Sequence, residues 1–475
     1  MTVTEDMLWM SVRELGNALR AKQVTSIELT EAYLERLERY GAKLGAVVTT
    51  TRDRALREAR RADQELARGT YRGPLHGIPY GVKDLLATVG YATTWGAEPY
   101  RDQRFDFDAT VVERLEAAGA VLVAKLAMVE LAGGMGYNHA DASFTGPGRT
   151  PWNLEYWSGG SSSGPGAAVG AALVPFAIGS ETWGSITFPS AACGVSGLRP
   201  TFGRVSRHGA MALSWTMDKL GPMCRTADDC GLVLAAIAGG DRRDPMASTR
   251  GYRYDRAAQR GNRRLRIGVI RNATVGAQPE VAQNFAGALD VLRQFATIEE
   301  NVEFPALPFN EAARTIIAAE GPSAFEELLA SGRVRELTAP EDRWGGYAGA
   351  AVSAVDYLKA LRLRTTMIPA LDAVLAAYDA VVSPTLDTVS FPLARSFDKA
   401  WPAVDVPKEV RVQPLGGAAN LVGLPGVGVP NGFGREGLPT SLLFTGRLGG
   451  EAAILAAARE YQARTDWHRR RPPLA

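Results

Sequence analysis

Two serine-bearing turns and one lysine carry the clearest chemical signal in this 475-residue sequence. Ser161 and Ser185 stand 24 residues apart in the segment GGSSSGPGAAVGAALVPFAIGSETWGSITFPSAACGVSGLRP, which begins at Gly159. The spacing between them predicts a small-residue helix, Gly166–Leu173, and a short apolar strand, Pro175–Ile178. Small side chains let backbones approach closely, so the two turns are expected to meet at one end of a sheet. Upstream, GIPYGVKD places Lys83 at the end of another apolar strand. A serine hydroxyl is a poor nucleophile until a base takes its proton. Lysine serves as that base only when neutral, and at its reference pKa about one in a few thousand is neutral at pH 7. Burial must therefore lower it by about three units. Lysine is scarce here: of 53 basic residues only 8 are lysine, and the rest are arginines, which cannot be deprotonated in a protein.

Two rival readings stand beside this one. GSSSG at Gly160–Gly164 also fits G-x-S-x-G centred on Ser162, the pattern of an α/β-hydrolase elbow. That elbow needs a buried strand before it and a histidine after it. TPWNLEYWSG is polar with a proline, and only His208 and His468 follow. His76 and His139 lie upstream and read as structural. Lys125, at the end of AVLVAK, has an apolar lead-in like that of Lys83 and is its internal rival.

The chain resembles the amidase signature family, whose enzymes use a Ser–cis-Ser–Lys triad. The matches are the Gly159 segment, LHGIPYGVKD (Leu75–Asp84), DATVVERLEAAGAVLVAK (Asp108–Lys125) and TGPGRTPWN (Thr145–Asn153). GPMCRTADDCGLVLAAIAG (Gly221–Gly239) and NLVGLPGVGVP (Asn420–Pro430) continue them. The resemblance implies Ser185 as nucleophile, Ser161 as the cis-serine relay and Lys83 as base. It implies an oxyanion hole from the amides of Thr182, Trp183, Gly184 and Ser185, and a substrate-lining loop at Gly134, Met135 and Gly136, whose glycines suggest open space. Many members read D-x-G-G-S-I-R around the nucleophile. Here Glu181, Trp183 and Thr187 stand where those members have aspartate, glycine and arginine, which weakens the case for a glutamine-dependent transamidosome subunit.

The fold expected is α/β: one large domain over residues 1–475 with a central mixed, mostly parallel sheet covered by helices on both faces. Residues 1–70 form a helical N-terminal layer, and 242–377 is the most variable, pocket-contributing region. Helices are expected at Thr25–Tyr40, Thr51–Arg68 and Asp108–Ala118, and strands at Gly77–Leu86, Ala120–Ala124, Arg263–Ile270 and Tyr378–Thr385. The hydrophobic share of 46%, the charged share of 22% and the net charge of +2 exclude disorder and give no electrostatic case for nucleic acid. Cys193, Cys224 and Cys230 are too sparse for a disulfide framework and offer no zinc site. No signal peptide or membrane span is expected, which reads as a cytoplasmic protein. The function expected is a cofactor-free, metal-free hydrolase of small aryl or alkyl amides. The alternatives are a carbamate (urethane) or ester hydrolase on the same triad, a glutamine amidotransferase subunit, and a non-catalytic binding protein. The expected partner is a small-molecule amide or carbamate, with homodimerisation open.

Overall fold

Capping chemistry sets the N-terminal layer. Ser11 and Glu14 form a reciprocal capping box at helix Val12–Arg20, and Thr25 and Glu28 form another at helix Ser26–Tyr40. A third helix, Arg52–Ala67, completes the layer. Each of the latter two lies within a residue or so of its expected span. The computed structural model describes residues 3–254, 264–399 and 416–473. Part of the arginine-rich stretch between Arg242 and Arg264 lies outside them.

The strands, in chain order, are β1 (Val47–Thr50), β2 (Pro79–Lys83), β3 (Val121–Leu126), β4 (Arg149–Thr150), β5 (Asn153–Trp157), β6 (Phe176–Glu181) and β7 (Ser196–Arg199). They continue with β8 (Lys219–Cys224), β9 (Leu265–Ile270), β10 (Ala296–Val302), β11 (Ala380–Pro384), β12 (Gly426–Phe433) and β13 (Pro439–Thr445). Eleven of them form one sheet in the order β1-β3-β2-β6-β8-β7-β12-β13-β11-β9-β10, and β4 pairs with β5 alone. The sheet is mixed and helix-covered as expected, but among the described residues four of its ten ladders are parallel and six antiparallel, where mostly parallel pairing was expected. Its parallel ladders lie in two wings, β3-β2-β6 and β11-β9-β10. An antiparallel centre joins them.

Side chains alternate between the two faces of the sheet. On β3, Leu122 packs into a core with Leu15, Leu29, Tyr80 and Val82. Val121 and Val123 point the other way, into a core with Leu34, Ala167 and Ala171. The apolar Gly164–Gly179 stretch supplies that second core rather than a span. Among the described residues no helix is long and apolar enough to cross a membrane.

The small-residue helix runs over Ser163–Gly170, earlier than its expected Gly166–Leu173 span. Its end is set by a Schellman pair, Leu173 N to Ala168 O (2.7 Å) and Ala172 N to Val169 O (3.1 Å), with Ala172 at φ 52°. A Cβ on Gly164 would lie 2.4 Å from Ala127 N, which shows why this helix must be built of small residues.

Candidate active site

Lys83 ends β2 and is fully buried. Its Nζ donates to Ser161 Oγ (2.7 Å) and to Ser180 Oγ (2.9 Å). Burial pulls the ammonium down to about 7, although Asp218 and Glu181 pull it back up. That is the shift a lysine base requires. Ser161 follows a cis Gly160–Ser161 peptide and is buried. Its carbonyl accepts from Val129 N (3.1 Å).

Ser185 lies in the turn after β6 and keeps 6% of its surface exposed, enough to be reached from outside. The two serine turns meet as the spacing predicts: Ser162 N donates to Ser185 O (3.3 Å). The hydroxyls of Ser161 and Ser185 are not hydrogen-bonded to each other in this structure. Such contacts are often long before substrate closes them.

The turn that carries Ser185 is held from behind. Glu181 accepts from the amides of Ile186 and Thr187 (2.9 Å each), from Asn420 Nδ2 (2.9 Å) and from Arg199 Nη1 (2.9 Å). Burial alone would raise this carboxyl, but Arg199 and Lys219 hold it at about 2, so it is ionised. Thr187, in place of the more usual arginine, adds its own hydroxyl to Glu181 (3.2 Å). With these bonds made elsewhere, the amides of Thr182, Trp183, Gly184 and Ser185 donate to no described residue. Gly184 sits at φ 86°, where glycine is favoured, while Trp183 avoids that region. Trp183 is half-buried over Gly416 and Gly417, and a Cβ on Gly417 would lie 2.8 Å from its ring. It therefore packs against the start of helix Gly416–Val422.

The rivals are placed elsewhere. Ser162 Oγ donates to Ser180 O (3.2 Å) and accepts from Ser180 N (3.3 Å), with no histidine bonded to it. His208 stacks on Phe107, His76 faces Glu65 (3.1 Å) and His139 faces Glu341 (2.6 Å). Lys125 is buried too, but it donates to Leu86 O and Thr93 Oγ1 and pairs with Asp84 (3.1 Å), so it braces a turn and touches no serine.

The expectation of open space at Gly134 and Gly136 is corrected. A Cβ on Gly134 would meet Leu213 and Phe325 at 2.6 and 2.7 Å. One on Gly136 would overlap Asp342 Oδ1 at 1.9 Å. Met135 is buried beneath Gly345 and Gly346. Helix Asp342–Gly349 presses on Gly136 and Met135, whereas Gly134 is closed in by Leu213 and Phe325.

Sequence reasoning missed Ser180, Arg199, Asn420 and the anchoring role of Glu181. Their signal was present only as polar residues inside otherwise apolar strands and a helix. A cavity of about 180 Å³ opens beside Ser180 and Thr182, with Leu85, Met211 and Leu213 among its walls.

A serine bonded to a buried lysine, beside a second serine whose turn presents unpaired amides, is an arrangement suited to acyl transfer. The Amidase family model matches residues 28–455, and the chain belongs to this family, the amidase signature enzymes. It is an amide hydrolase. It is 36% identical to a glutamyl-tRNA(Gln) amidotransferase subunit from Methylococcus capsulatus, over 97% of this chain and 98% of that one. Among solved structures, it is 33% identical to the native peptide amidase of Stenotrophomonas maltophilia, with a TM-score of 0.86 and 98% of each chain covered. A bacterial aryl acylamidase of the same family gives a TM-score of 0.84 at 25% identity, with 97% of each chain covered.

Proposed function

We propose that this protein hydrolyses small amides bearing an apolar aryl or alkyl group, through an acyl-enzyme on Ser185. The observation that carries the reading is the 2.7 Å contact between Ser161 and a buried Lys83 poised near neutrality. Neutral Lys83 takes the Ser161 proton while Ser161 takes that of Ser185. Ser185 Oγ attacks the amide carbonyl carbon, and the oxyanion is received by the amides of Thr182 to Ser185. Each such donor is typically worth about 2.7–4 kcal/mol in the transition state. Ser161 returns a proton to the nitrogen as the C–N bond breaks and the amine leaves. Water then attacks the ester by the same relay, releasing the acid and restoring Ser185.

Apolar surroundings support the choice of substrate. Of the charged groups lining the neighbouring cavity, Arg207 is paired with Asp244 (3.3 Å) and Arg243 with Glu113 (2.5 Å), while Asp218 accepts hydrogen bonds from Thr182, Leu213 and Ser214. From segment 242–377, Arg243 and Asp244 line this cavity. The buried free thiols of Cys193, Cys224 and Cys230 fit a reducing cytoplasm.

A second reading, a glutamine-hydrolysing subunit, is favoured by the names of the relatives at 36% identity. Glutamine carries an α-carboxylate and an α-ammonium, and each needs a free counter-charge. A panel of aryl amides, alkyl amides, carbamates, esters and glutamine separates the readings. The expected result is the highest kcat/KM on an apolar amide. A clear preference for glutamine would replace the first reading with the second, and a preference for carbamates or esters would replace the amide class.

A further inference from the structure

A groove of about 500 Å³ lies between the N-terminal layer, helix Ala227–Ile237 and the C-terminal helix Glu451–Gln462. It stands well away from the triad. Lys219 opens β8 and donates to Thr182 O (3.3 Å), whereas Arg225 follows the other end of the same strand. At roughly 3.3 Å per residue that separates the two by about 20 Å.

Five arginines and only three carboxylates line the groove. Arg13 pairs with Asp228 (2.5 Å) and Arg471 with Asp6 (2.7 Å). Arg225 is different. It is 6% exposed, and among the described residues no carboxylate lies within ion-pair distance of it. It donates to His468 O (3.3 Å), and its guanidinium lies 4.5 Å over the Trp9 ring. A buried cation without a counter-ion is costly, and cation–π contact offsets only part of that cost. Arg469, exposed on the same groove, has no carboxylate partner among the described residues either. The surplus of positive potential is felt locally: burial, then Arg469 and Arg225, pull His468 down to about 4. Arg225 itself, drawn to about 10 by burial, stays charged at neutral pH.

We propose that this groove is a second binding site, taking a phosphate-class oxyanion between the buried guanidinium of Arg225 and the exposed one of Arg469. Guanidinium forks suit tetrahedral oxyanions, which accept several N–H donors from separate directions. Free phosphate and the phosphate of a small organic monoester share this chemistry.

The test is a calorimetric titration of the whole protein, without amide substrate, at fixed ionic strength with chloride as control. Inorganic phosphate and glycerol phosphate are titrated separately. Saturable binding is expected, at least tenfold weaker in Arg469→Ala and lost in Arg225→Met. Tighter binding of the monoester would assign the site to an organic phosphate, and equal binding to the free anion. Arg469 is exposed, so its variant tests the site even where Arg225→Met fails to fold. Absence of saturable binding, or equal affinity in Arg469→Ala and the parent, would overturn the proposal.

Discussion

Lys83→Met is expected to lower kcat/KM by about 10²–10⁴-fold, the range typical of a lost general base. It is also expected to make the fold more stable at low pH. The sign follows from linkage. An ordinary lysine titrates near 10.5, whereas buried Lys83 titrates at about 7. Between those values the unfolded chain holds a proton that the folded chain does not, so Lys83 lets stability rise with pH across that window. Its cost is therefore largest below pH 7, at about 5 kcal/mol for the full shift. Methionine removes that cost but strands the hydroxyls of Ser161 and Ser180, at about 1–3 kcal/mol. Urea unfolding should find the variant about 2–4 kcal/mol more stable near pH 6, with the gap closing between about pH 8 and 10 and reversing above, where only the stranded hydroxyls count. In the parent, kcat/KM should rise through pH 7 and level off above it. Full activity in the variant, or a parent profile flat across pH 6–8, would remove Lys83 from the relay.

Glu181→Gln should damage both the fold and the turn. Arg199 and Glu181 are wholly buried and paired at 2.9 Å. Removing one charge of such a pair typically costs about 3–5 kcal/mol, because the other remains buried and uncompensated. Lys219, whose ammonium burial already disfavours, loses its main stabilising charge in the same step. There is a finer signature. Glu181 raises the pKa of Lys83 through space, so its neutralisation should move the acid limb of the rate profile to lower pH. A variant whose pH limb is unmoved, with kcat unchanged, would make Glu181 a remote structural residue rather than one that positions the nucleophile turn.

The candidate triad was legible because its residues sit where the sequence is unusual: a lysine closing an apolar strand, and serines in glycine-rich turns between packed runs. Lysine scarcity was informative but not specific. Lys83, Lys125 and Lys219 are all buried, and only the first touches a serine hydroxyl. What separates them is register. Val82 pairs with Ile178, so Ser180, two residues on, comes level with the end of β2. Glu181 pairs with Lys219 across β6 and β8. Such juxtapositions depend on strand order, which turn and periodicity signals do not encode. Gly134 and Gly136 mislead for a related reason. A glycine reads the same whether it faces empty space or the side chain of a helix more than 200 residues away in the chain, as Asp342 is from Gly136.

Whether Ser185 carries the acyl group is tested most directly by labelling with a fluorophosphonate probe, followed by peptide mass mapping. One adduct on Ser185 is expected in the parent, and none in Ser185→Ala. Undiminished labelling of Ser185→Ala, or an adduct that maps to Ser162, would contradict the assignment of Ser185 as nucleophile.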